Sequence, residues 1–161
     1  MESKIRTLDP EVLIDHLMEL LEEADTVPLI ISGNSMVPFM VHGRDTVFLS
    51  KISRKLKKGD MILYRRDSGI YVLHRICKVY GTDQRRCYSL VGDAQTIIET
   101  GILDDQVLAV VSAVKRKGVL LEKGNFLWYF FEKIWLRLRP MRPILIKVYT
   151  LIKGGRKEII E

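Results

Sequence analysis

From Val27 to Val119 the apolar residues fall in short β-type runs, of the length and spacing of strands that a sheet packs into a core. The runs are "VPLIIS", "TVFLSKI", "DMILYRR", "IYVLHRICKVY", "CYSLVGD" and "QVLAVVSAVKR", separated by Gly, Asp and basic turns. In "GIYVLHRICKVYG" the alternation sets Tyr71, Leu73, Arg75, Cys77 and Val79 on one side and Val72, His74, Ile76 and Lys78 on the other. Apart from a short turn expected near residues 96–99, helical spacing is missing from this block. Residues 27–122 therefore read as a β-domain of six or seven strands.

The flanks read differently. In "LDPEVLIDHLMELLEEA", Asp9 is a suitable N-cap and Pro10 a suitable first helical residue. Leu13, Ile14, Leu17, Leu20, Leu21 and Ala24 then recur at three and four, so residues 1–26 carry one amphipathic helix. After Gly124-Asn125 the composition changes abruptly. Residues 123–161 hold seven of the thirteen aromatics and carry 9 Lys/Arg against 3 Asp/Glu, while residues 1–122 balance at 17 of each. The net charge of +6 thus belongs to the tail.

Two helical pieces hinged at Pro140 and Pro143 fit the tail. Aromatic and aliphatic bulk beside Lys and Arg is what an interfacial helix offers an anionic membrane surface, and residues 124–153 are expected to attach there. Packing on the β-domain is the next reading, and a nucleic-acid arm the least favoured. The polar start lacks a secretory signal, and no stretch has the ~18 apolar residues of a spanning helix. The expected location is peripheral, on the cytoplasmic side of a membrane.

Two cysteines, Cys77 and Cys87, make no disulfide framework and read first as buried free thiols. A hairpin centred on Gly81-Thr82-Asp83 would set them roughly opposite. No Cys/His pattern has metal-ligand spacing, so neither a metal nor another cofactor is expected.

A hydroxyl needs a base before it becomes a nucleophile, which directs attention to "SGNSMVPFM" and its Ser35. The histidines are His16 on the first helix, read as a surface residue, His42 after the serine loop, and His74 in the alternating strand. Each is unremarkable alone, and a serine in a Gly/Asn turn is common. What distinguishes the chain is the order "SGNSMVP", "GDMILYR", "VLHRI" and "VGDAQ".

With those pieces in that order the sequence resembles the superfamily of type I signal peptidases and LexA-type self-cleaving repressors, over roughly residues 28–112. The nucleophile box of that superfamily reads Ser/Thr-Gly-x-Ser-Met-x-Pro. Its bacterial signal peptidases and repressors use a lysine base. The type found in the endoplasmic reticulum, archaea and some spore-forming bacteria uses a histidine followed by Arg, as in "VLHRI".

The resemblance implies a mainly β, signal-peptidase/LexA-like domain with Ser35 as nucleophile and His74 as general base. It also implies an oxyanion site at the backbone N–H of Ser35, with Gly33 and Asn34 permitting close approach. The family's Gly-Asp-Asn-Asn segment is replaced here by Gly92-Asp93-Ala94-Gln95, so Asp93 is the expected third member and Glu99 the alternative. Met36 is expected to anchor the loop and Pro38 to fix its exit, with Met36, Phe39 and Met40 offering substrate an apolar face.

The function expected is a serine endopeptidase that cleaves a leader, signal or pro-peptide through an acyl-enzyme. A non-catalytic peptide- or membrane-binding β-domain of the same fold is the alternative. A DNA-binding repressor is disfavoured, because one short helix does not make a helix-turn-helix.

Overall fold

The structure, a computed structural model, describes residues 10–155. It is mainly β: eight strands form one antiparallel sheet. They are β1 (Val27–Ile30), β2 (Thr46–Ser50), β3 (Met61–Arg65), β4 (Tyr71–Thr82), β5 (Arg85–Val91), β6 (Glu99–Leu103), β7 (Val107–Arg116) and β8 (Val119–Glu122). Their order is β1-β2-β7-β3-β4-β5-β6, with β8 paired to the end of β7.

Both faces of the sheet are covered, which is why Met61, Ile62, Leu63 and Tyr64 are all buried despite their alternation. Met61 and Leu63 join a core with α1 (Pro10–Glu23), β1, β2 and the segment after β1. Ile62 and Tyr64 join a second core with Ile76, Tyr88, Leu90 and Ile102. A register shift between Ile76 and Lys78 inserts Cys77 as an extra residue in β4. It brings Val79 to the Ile76 side, where strict alternation had placed it opposite.

Helix α1 begins at Pro10 and buries Ile14, Leu17 and Leu21, one narrow stripe; Leu13 and Leu20 are exposed. Its expected cap, Asp9, lies outside the described residues. Two strands went unanticipated. β8 follows a two-residue turn with Lys117 at φ 49° and Gly118 at φ 83°, the mirror-image geometry that suits strand twist. β6 begins at Glu99, the last residue of the stretch 96–99 where a short turn was expected.

The β4–β5 hairpin pairs Tyr80 with Cys87, so Cys77 does not sit opposite its fellow and both thiols are free.

The tail divides in two. α2 (Phe126–Tyr129) is capped by the Asn125 side chain, which accepts from the Leu127 N–H at 2.8 Å, and continues as a wider π-helical turn to Trp135. Trp128, Phe131 and Trp135 are buried in the first core, with Phe39 against Phe131 at 4.7 Å and against Trp128 at 6.1 Å. These aromatics complete the β-domain, and the membrane-facing expectation for residues 124–153 loses its tryptophans. α3 (Arg142–Gly155) packs Leu145 and Ile146 inward and leaves Ile144, Val148, Leu151 and Ile152 exposed. No described helix is long and apolar enough to cross a membrane.

Candidate active site

Ser35 lies in the run of turns joining β1 to β2. Gly33 enters the loop at φ 86°, a value glycine tolerates best, and its N–H donates to His42 Nδ1 at 3.1 Å. The Val37 N–H bonds Asn34 O and the Met40 N–H bonds Met36 O, while the Val37–Pro38 peptide is cis. Beneath the loop Met36, Phe39 and Met40 are buried, so apolar anchors hold a half-buried serine at the surface. The substrate-facing role expected of Phe39 and Met40 is corrected: both are 0% exposed and belong to the core.

His74, 1% exposed, stands on β4 opposite Ile62 of β3. β5 pairs with β4 only from Arg75 onward, which leaves the Tyr71–His74 edge away from β3 without a strand partner. Tyr71–His74 and Ile31–Gly33 line one cavity of about 290 Å³, and Ser35, Met36, Arg66 and Gln95 complete its wall. Two segments distant in sequence thus bring Ser35 and His74 to the same space. The Ser35 hydroxyl makes no hydrogen bond to any described residue.

Behind the imidazole stands Glu99. Its Oε1 is 3.4 Å from His74 Nδ1, and its Oε2 accepts the Tyr64 hydroxyl proton at 2.9 Å. Arg66 grips the same carboxylate with both Nε and Nη2. The Tyr64 oxygen is also 3.3 Å from Nδ1. With its one proton committed to Glu99, that oxygen can only accept, and an ionised Glu99 can only accept as well. Nδ1 must therefore carry the ring proton, which puts the lone pair on Nε2 of a residue that lines the cavity.

Burial pushes the His74 pKa down to about 4; the Glu99 charge opposes that shift and Arg66 adds to it. Burial alone would raise Glu99, but the Arg66 and Tyr64 hydrogen bonds hold it below the usual carboxylate range. At neutral pH the site thus holds a neutral imidazole and a carboxylate.

Asp93 is placed elsewhere. Its two oxygens take Arg75 Nε at 3.0 Å and Nη2 at 2.8 Å, with both residues fully buried, while Arg75 Nη1 donates to Gly59 O. This pair fastens the Gly92–Gln95 loop to β4. The Ala94 N–H in turn donates to Ser35 O at 2.8 Å, Trp135 Nε1 to Asp93 O, and buried Arg142 Nη1 to Gly92 O and Gln95 O. A Cβ on Gly92 would lie 2.6 Å from Ser35 O, so glycine is what lets the two loops touch.

The N–H groups of Asn34 and Ser35 find no acceptor among the described residues, whereas that of Gly33 is taken by His42. Ser35 N–H is therefore a donor available to an oxyanion, and Gly33 serves the turn. Sequence reading missed Tyr64 and Arg66; their period-two spacing on "YRR" was the available signal, meaningful only once β3 is registered against β4.

Compared with known proteins, the chain matches no protein-family model and no curated relative.

Proposed function

We propose that the protein is a serine endopeptidase of signal-peptidase type, with Ser35 as nucleophile, His74 as general base and Glu99 as the acid that orients it. The observation that carries this reading is the shared cavity. Ser35 and His74 line it together, and Nδ1 is engaged from behind by Glu99 and Tyr64.

In the reaction Ser35 Oγ attacks the scissile carbonyl as Nε2 removes its proton. Glu99 steadies the imidazolium across Nδ1, and the Ser35 N–H meets the oxyanion. The imidazolium then protonates the departing amine, and water hydrolyses the acyl-enzyme with His74 again as base. The unpaired Tyr71–His74 edge suits a substrate lying extended as an added strand. The substrate class is a leader, signal or pro-peptide.

Attachment to a membrane is proposed through α3 alone. Ile144, Val148, Leu151 and Ile152 form one exposed stripe at helical spacing, on a segment whose excess of Lys and Arg suits anionic lipid.

The test is digestion of a peptide library, read by mass spectrometry. The native chain is expected to cut it, while Ser35→Ala and His74→Ala proteins of unchanged circular dichroism leave it intact. Cleavage by purified Ser35→Ala at the native rate contradicts the reading. A second reading, a peptide binder without chemistry, draws on the absence of a Ser35–His74 hydrogen bond. It predicts peptide binding with no product from any variant.

A further inference from the structure

The catalytic cavity adjoins a larger one. Arg66 and Gln95, which wall the first, also wall a depression of about 660 Å³ bounded by Ala94, Thr96, Ile97, Glu99, Pro143 and Ile146. That volume lies within the roughly 300–1,000 Å³ typical of ligand sites. One wall is the loop between β5 and β6, and the other is the first turn and a half of α3.

Three features point to a ligand. Ile97 is 81% exposed at the rim and belongs to neither core, although its side chain gains most from burial. The charges at the boundary are neutralised, because Arg66 is spent on Glu99. Both walls are already fixed to each other: Arg142, the first residue of α3, donates Nη1 to Gly92 O and Gln95 O, and its guanidinium is fully buried. A groove so held needs little ordering when it is filled.

We propose that this groove is a second binding site for the peptide substrate, taking apolar side chains such as Leu, Ile or Phe on one side of the scissile bond. The proposal rests on the peptidase reading and adds the substrate feature that reading leaves open. Continuity with the Ser35–His74 cavity selects the occupant: an extended chain lying along the open β4 edge passes Arg66 and Gln95 into the groove.

The test uses the full chain and two peptides, one cleaved library member and its match with the apolar residues nearest the cut replaced by Ala. The native protein is expected to show a KM about tenfold to a hundredfold lower for the apolar peptide. In Ile97→Asp, an exposed position that leaves both cores intact, the difference between the peptides is expected to collapse; Ile146→Glu serves as a second variant. Equal KM values in the native protein, or a preference that survives both substitutions, overturns the proposal.

Two further results also overturn it. One is loss of binding to phosphatidylglycerol vesicles with peptide preference unchanged, which assigns the groove to lipid. The other is loss of a dimer with preference unchanged, which assigns it to a second copy. If Ser35→Ala cleaves like the native chain, the peptidase reading fails. The groove is then judged by direct binding of the labelled peptides, where equal affinity of native and Ile97→Asp proteins for the apolar peptide overturns it.

Discussion

Asp93 and Glu99 carry the same charge six residues apart, and their neighbours give them separate work. Asp93→Asn leaves the Arg75 guanidinium buried without its counter-charge, a change that costs about 3–5 kcal/mol. A fall in the urea midpoint is its expected signature. Glu99→Gln removes the carboxylate that orients Nδ1 and is expected to lower kcat by about 10²–10⁴ with far less effect on stability. Tyr64→Phe leaves Glu99 with Arg66 and the imidazole and frees Nδ1 from one acceptor, so kcat is expected to fall while KM moves little.

The pH dependence follows from His74. Its folded pKa, about 4, lies below the ordinary 6.5, so the unfolded chain takes up the proton first as pH falls. The stability gained by keeping the ring neutral is complete above pH 6.5 and is lost as pH falls through about 4. It amounts to on the order of 3 kcal/mol. Urea midpoints measured from pH 7 to pH 4 should drop through this window, and less steeply in His74→Gln. The acid limb of kcat/KM should likewise have its midpoint at about 4; a midpoint at 6.5 would mean that the base is not this buried ring.

Among the elements, the serine loop owes its position to a neighbour loop it touches through Gly92. Gly92→Ala sets a methyl 2.6 Å from Ser35 O and 2.9 Å from Gln95 Oε1, so one loop must retreat. A displacement near 1 Å is worth about a hundredfold in rate, and that loss is expected with the cooperative unfolding transition retained. The strands that stand in the sequence as apolar runs, β3 and β4 among them, were legible there apart from the Cys77 bulge, as were the serine turn and its histidine.

β6 was not legible, because "ETGIL" buries only Ile102 and carries Gly101 at φ 83°. β8 was missed because Val119 and Leu120 face solvent. Each acid is held by an arginine, and the choice between Asp93 and Glu99 depended on which of them reaches His74 Nδ1. Spacing does not encode that: Arg75 and Arg66 reach them only through the β3–β4–β5 register.

At the scale of the molecule, the two parts of the tail look alike in sequence and sit differently in the fold. An aromatic, basic, amphipathic segment has the same pattern whether its apolar face meets protein or lipid. Here residues 126–136 meet the core, and the outer stripe of α3 remains uncovered. Vesicles of anionic lipid should sediment the full chain, and Ile144→Glu with Leu151→Glu should weaken that binding at least about tenfold. The buried Trp128 and Trp135 predict no blue shift of tryptophan emission on binding; a shift would show that they, and not α3, enter the lipid.

The central claim is that Ser35 becomes acylated with His74 as its base. The most direct measurement is the rate of covalent labelling by an acylating peptide probe, followed by mass spectrometry of the intact chain and mapping of the adduct. The expected result is one adduct on Ser35, slowed in Glu99→Gln and lost in His74→Ala. An adduct that forms on Ser35 equally fast in His74→Ala, or one that maps to another residue while Ser35 stays free, would contradict it.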